Sequence, residues 1–245
     1  MQDIVWWKWI LGAFCAFNIG VAKTGMPGIG ILAVPLFVLT VDDARLSAGW
    51  LLPILISADL YAIVAYRRLA ATGQLFYLLP SVVVGLVLGA FALAWPESLL
   101  RRIVGAIVLA MVTLYLIRRR NPHFLIRQGW WYSAFFGTSA GFSTMVANAA
   151  GPVMNVYLLS KRLPREEFVA TGAWFFFIVN LSKVPVYAWR GLISQRSLEF
   201  DAMLVPFALA GAWTGRHYIH RIPQDVFDRA VIVLAGAAAI ALLAR

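Results

Sequence analysis

Residues 18–35 read NIGVAKTGMPGIGILAVP, and the rest of the chain is best understood from them. The stretch interrupts an otherwise apolar segment. It sets one cation, Lys23, beside Gly25, Pro27, Gly28 and Gly30. Glycine loosens the backbone and proline removes a donor, so a continuous helix is hard to sustain there. Inside a bilayer, broken backbone survives only where protein buries it or where it lines a watery cavity. The stretch therefore reads as half of a small-anion site within a membrane protein.

Composition agrees with that setting. The chain of 245 residues is 62% hydrophobic and 13% charged, against about 45–50% and about 25% in a soluble domain. Strand-like alternation is absent, so the expected class is an all-α integral membrane protein. Trp6, Trp7, Trp9, Trp95, Trp130, Trp131 and Trp189 fall near segment ends, where indole rings favour the lipid–water boundary. The net charge of +10 comes largely from arginines in short loops. There they set topology and meet anionic lipid heads, which argues against a nucleic-acid partner. Cys15 is the single cysteine, which rules out an internal disulfide or a cysteine metal cluster. The opening MQDIVWWKWILGAF carries an acid and no small-residue cleavage site, so it reads as part of the first membrane segment.

Ten apolar segments follow, at 4–22, 27–40, 46–66, 75–94 and 99–117, then at 130–146, 149–160, 167–189, 199–219 and 225–244. A crossing helix needs about 20 residues. Segments 27–40 and 149–160 fall short and are expected to form re-entrant hairpins or broken helices with their predecessors. The halves look duplicated. Trp50 matches Trp174, Pro80, Gly85 and Gly89 match Pro206, Gly211 and Gly215, and Pro96 matches Pro223, at a slowly drifting offset. DARLSAGW also parallels EEFVATGAW. The expected organisation is an N-terminal membrane repeat over 1–120, a cytoplasmic linker over 121–129 and a C-terminal membrane repeat over 130–245. With the linker inside, Arg67, Arg68, Arg118, Arg119, Arg120, Arg127, Lys161, Arg162, Arg165, Arg216 and Arg221 share the cytoplasmic side. The opposite side holds fewer basic residues, the direction topology favours. Five segments per half make the two repeats inverted, the architecture of secondary transporters with a site near the midplane. Both termini then lie outside.

Three ionisable residues stand out in apolar surroundings away from the outer ends of the segments: Lys23 at the first break, and Asp59 and Lys183 inside 46–66 and 167–189. A charge at bilayer depth costs about 3 kcal/mol on insertion scales, so such groups face a cavity or a partner. Asp59 and Lys183 occupy equivalent positions in the two halves. One reading has both lysines attracting an anion, with Asp59 countering them or carrying a coupling proton. The structural alternative is a buried ion pair that locks helices together. The mirror of the opening stretch is GFSTMVANAAGPVMNVYLLSKRLP, residues 141–164. Ser143, Thr144, Asn148 and Asn155 offer neutral donors beside the breakers Gly141, Gly151 and Pro152. Free amides at helix starts suit anionic oxygens. The candidate substrate-binding set is Lys23, Thr24, Gly25, Gly28, Ser143, Thr144, Asn148, Asn180 and Lys183. Ser182 and Asn18 are weaker members. Residues 25–30, GMPGIG, have a glycine spacing like that of a nucleotide loop, but no strand precedes them. His217 and His220 are three apart and read as interfacial residues, so no metal and no cofactor is expected. No nucleophile stands beside a base, and the chain does not read as an enzyme.

The strings AKTGMPGIGILAVPLF, LPILISADLYAIVAYRR, GFSTMVANAAGPVMNVYLL and GAWFFFIVNLSKVPVY resemble the TauE/SafE family of sulfite exporters, the TSUP permeases. The likeness runs through both halves. It implies a multi-pass permease of the bacterial inner membrane that moves small sulfur-containing or carboxylic anions, such as sulfite, sulfonates or thiosulfate. Family relatives that handle thiosulfate through cysteines are a poor guide to a chain with only Cys15. The reading from another class is a non-transporting membrane assembly subunit or receptor that uses its buried charges as structural pairs.

Overall fold

The computed structural model describes residues 5–25, 30–67, 70, 72–121, 130–148, 150–161, 163, 165–218, 233 and 240. The expected tenth segment at 225–244, most of the linker and Gly28 fall outside them, apart from positions 233 and 240. The described elements are all helical: α1 (Trp6–Thr24), α2 (Gly30–Val41), α3 (Ala44–Tyr66), α4 (Thr72–Ala92), α5 (Glu97–Arg120), α6 (Trp130–Ala147), α7 (Gly151–Ser160), α8 (Arg165–Trp189) and α9 (Gln195–Tyr218). Among the described residues, three stretches are long and apolar enough to cross a membrane: Ala44–Tyr66, Leu75–Ala92 and Glu167–Trp189.

The opening stretch breaks where glycine and proline predict. Helix α1 stops at Thr24, and the Gly25 amide donates to the Val21 carbonyl at 3.0 Å. Helix α2 then runs back along α1. A Cβ on Gly30 would lie 3.6 Å from the Ala22 side chain, and at the far end Lys8 of α1 pairs with Asp42 just past α2. The two helices form a hairpin, with Gly25 and Gly30 the described residues on either side of the turn. Twelve residues of α2 span about 18 Å, short of the roughly 30 Å hydrocarbon core. In the second half α6 ends at Ala147. Asn148 follows with φ +52°, the left-handed conformation that asparagine tolerates best after glycine. Helix α7 restarts at Gly151 and is shorter still, at 10 residues.

The two most extensive helix contacts are α4 with α6 and α1 with α9, and α3 packs on α8 between them. Glycine lets these backbones touch. A Cβ on Gly20 would lie 1.9 Å from the Ala208 carbonyl oxygen, and one on Gly211 2.0 Å from that of Phe17. The other pair behaves alike: Gly85 would meet the Thr138 oxygen at 2.1 Å, and Gly141 that of Val82 at 2.2 Å. Small residues at such crossings are how membrane helices approach closely. Gly141→Val should therefore destabilise the fold by about 1–3 kcal/mol or prevent it from forming. Thermal unfolding in detergent measures this, and an unchanged midpoint would show that α4 and α6 do not meet there.

Apolar side chains cover the outside as well as the inside. Phe76, Tyr77, Val84, Leu88 and Phe91 of α4 are exposed, a face suited to lipid. Trp6, Trp130, Trp131 and Trp189 are exposed at helix ends, where an aromatic belt would sit. Among the described residues two large apolar clusters lie inside, beside a small one of Ala62, Ile63 and Ala173. One gathers Leu52, Leu78, Leu86, Met154, Tyr157 and Phe175. The other gathers Cys15, Phe37, Ile54, Phe200 and Leu204.

Candidate functional site

Helices α1, α3, α6 and α8 bring the buried polar residues together. Asp59 of α3 is the hinge of the arrangement and is fully buried. Its Oδ1 lies 2.6 Å from Lys23 Nζ in the last turn of α1. That ion pair is the contact of Oδ1, which has no further donor among the described residues. Asn180 of α8 donates from Nδ2 to Oδ2 at 2.7 Å. One carboxylate thus ties α1 and α8 to α3. The Lys23 ammonium also lies 3.8 Å from the centre of the Phe176 ring, whose negative face attracts a cation.

Lys183 is fully buried too, and among the described residues no carboxylate pairs with it. Its Nζ donates to the Thr144 hydroxyl at 3.0 Å, to the Thr144 carbonyl at 3.2 Å and to Asn148 Oδ1. Three acceptors match the three protons of an ammonium. All three are neutral oxygens, so they satisfy its hydrogen bonds without offsetting the charge it carries when protonated. The same Asn148 donates from Nδ2 to the Ala48 carbonyl of α3 at 2.6 Å. The residue that ends α6 therefore bridges α8 and α3.

The two helix breaks are tied in corresponding ways. Tyr66 of α3 donates to the Thr24 carbonyl at 2.8 Å, in the last turn of α1. Tyr187 of α8 donates to the Met145 carbonyl, in the last turn of α6. Carbonyls at helix C-termini lack intrahelical partners, and each hydroxyl satisfies one. The Thr24 hydroxyl itself donates to Ala212 of α9 at 2.7 Å and approaches the Gly20 carbonyl at 3.1 Å. Gly151, at the start of α7, borders open space: a Cβ there would meet none of the described residues within 4 Å.

Of the sequence candidates, Lys23, Asp59 and Asn180 form one contact set and Lys183, Thr144 and Asn148 a second, with Asn180 and Lys183 one turn apart on α8. Thr24 and Gly25 stand at the edge of the first set, at the turn of the first hairpin. Ser143 is buried, but its hydroxyl donates to the Ser139 carbonyl of its own helix at 2.7 Å. Ser182 and Asn18 likewise bond within their helices, to Val179 and Phe14. Gly28 lies outside the described residues, as does His220. Among the described residues, no group of three or more His, Cys, Asp or Glu could hold a metal. Sequence reasoning missed Phe176, Tyr66 and Tyr187. A signal for two of them was present: Phe176, Asn180, Lys183 and Tyr187 follow at steps of four, three and four. That spacing places them on one face of α8.

The family model described as Sulfite exporter TauE/SafE matches residues 11–242. Among curated proteins and among solved structures, none matches the chain. The family match covers nearly all of the sequence, and the chain belongs to this family of membrane transporters.

Proposed function

We propose that this TauE/SafE member is a secondary permease that exports a small sulfur-containing or carboxylate anion by alternating access. Sulfite and organosulfonates head the range, with thiosulfate and simple carboxylates beside them. The observation that carries the reading is Lys183, a fully buried lysine held, among the described residues, by neutral oxygens alone. Lys23, Asp59 and Lys183 together hold one positive charge in excess, and a bound anion would neutralise it. The anion sits at the α6–α7 break, against Lys183, Thr144 and Asn148, beside the open space at Gly151. The amides that start α7 add partial positive charge on the same side. On arrival the anion replaces a neutral acceptor of Lys183, and the Thr144 hydroxyl and Asn148 amide turn donors toward it. Lys23, fixed by Asp59, adds positive potential from the first break.

The two halves, 1–120 and 130–245, act as inverted repeats joined by the cytoplasmic loop 121–129. Supporting this are the paired glycine crossings of α1 with α9 and α4 with α6, the α3–α8 contact between them, and the matching tyrosine ties. In a multi-pass inner-membrane protein of this plan, rocking of one repeat on the other would expose the site to either side. Interior-negative potential drives an anion outward by about 2.3 kcal/mol per charge per 100 mV, so export needs no nucleotide.

A panel of sulfite, sulfoacetate, thiosulfate and acetate tests the reading on purified protein. At least one sulfur oxyanion should raise the unfolding temperature in a saturable manner, because an anion that binds only the folded state stabilises it. A flat response to every member of the panel would contradict the proposal.

A further inference from the structure

One buried acid is not used by the network above. Asp201 lies on α9 with 1% of its surface exposed, and neither carboxyl oxygen has a hydrogen-bond partner. It is no helix cap. Ser194 and Ser197 already close the start of α9 reciprocally, each side chain accepting from the other's amide at 3.1 and 2.9 Å. Asp201 stands in the second turn, beyond the reach of the helix dipole.

Among the described residues no cation pairs with Asp201; on α9 itself Arg196 is exposed and Arg216 stacks on the Tyr66 ring. Helix α9 packs chiefly on α1 and α3. On α1, Lys8 pairs with Asp42 and Lys23 with Asp59, while Cys15 is buried in the cluster that holds Phe200 and Leu204. On α3, Arg45 donates to the Trp95 carbonyl, Tyr66 to Thr24, and Asp59 is taken by Lys23 and Asn180. The remaining titratable side chain of α3, Tyr61, makes no ion pair. On α9 itself, Glu199 accepts from Gln195 at 3.2 Å. Burying an ionised carboxylate without cation or donor is far costlier than burying the neutral acid. A metal cation would need several oxygen ligands, and among the described residues no group of three or more His, Cys, Asp or Glu gathers at Asp201.

Its position is also informative. The Thr24 hydroxyl meets Ala212 of α9, and the 11 residues from Asp201 to Ala212 correspond to about 16 Å of helix. Asp201 thus lies level with Gly12, which faces Phe200 and Leu204, well away from the anion network. We infer that Asp201 is a proton-binding site of the transport cycle, protonated while α9 is packed on α1 as here and deprotonated when that interface opens to water. The coupling of its proton to anion movement rests on the transporter reading, whereas proton binding itself does not.

Two measurements on the full chain test this separately. Infrared titration of purified protein should reveal a protonated-carboxyl stretch that disappears in Asp201→Asn. Persistence of that stretch in the variant, or its absence from the wild type, overturns the assignment. In proteoliposomes, a pH gradient should alter sulfite flux through the wild type. Asp201→Asn should lose that response and retain sulfite–sulfite exchange. A variant that keeps the wild-type pH response, or a wild type that responds to a sodium gradient instead, overturns the coupling. Absence of any wild-type flux would count against the transporter reading and leave the infrared result to decide proton binding.

Discussion

Lys23→Met will destabilise the protein severely, and adding Asp59→Asn will restore most of the loss. The single change removes the cation 2.6 Å from a carboxylate that is fully buried. Breaking a buried pair from one side costs about 3–5 kcal/mol, because the remaining charge is left uncompensated. Asn180 alone cannot replace the lysine, since it supplies one neutral donor to the other oxygen. Asn at position 59 removes the charge while keeping the size. The double variant should then recover to within about 1 kcal/mol of the wild type, the usual range for substituting a pair by neutral groups of like volume. Thermal and denaturant unfolding in detergent would measure both proteins. A double variant no more stable than Lys23→Met would mean that the contact is incidental.

Lys183→Met will fold and lose transport. Its methionine fills much of the lysine volume, and the acceptors it abandons are neutral. Thr144 and Asn148 are left without the ammonium, at a cost of about 1–3 kcal/mol for the unpaired groups. The loss of function should be larger than that stability loss suggests. The excess positive charge of the network disappears, so an anion that reaches the α6–α7 break finds no cation. A charged hydrogen bond of about 1.5–3 kcal/mol corresponds to at least a tenfold loss in flux at limiting substrate. Lys183→Arg keeps the charge but places a planar fork where three acceptors surround a point charge, so it should recover only part of the rate.

The helices were legible because apolar runs of crossing length, bounded by Arg, Trp, Gly and Pro, leave few alternatives. The two breaks were legible for a related reason: no continuous helix accommodates Gly25, Pro27, Gly28 and Gly30 in sequence. The three intramembrane charges stood out because each is costly without a partner. Which lysine Asp59 would choose was not legible. That choice depends on how α1, α3 and α8 rotate against one another, and packing sets those rotations. The bridging role of Asn148 depends on its left-handed backbone, a consequence of where α6 stops. The ties made by Tyr66 and Tyr187 were not legible, because the carbonyls they satisfy lose intrahelical partners only where α1 and α6 stop. Asp201 gave no signal either, since an acid six residues into a helix commonly faces water or a lipid headgroup. Only its burial against α1 and α3 distinguishes it.

The most direct test of the anion-permease account is counterflow of radiolabelled sulfite into proteoliposomes, with wild type and Lys183→Met reconstituted at equal density. The account predicts saturable counterflow through the wild type, competed by other small oxyanions, and at least a tenfold loss in the variant. Wild-type flux no greater than that of protein-free vesicles, or counterflow undiminished by Lys183→Met, would contradict it.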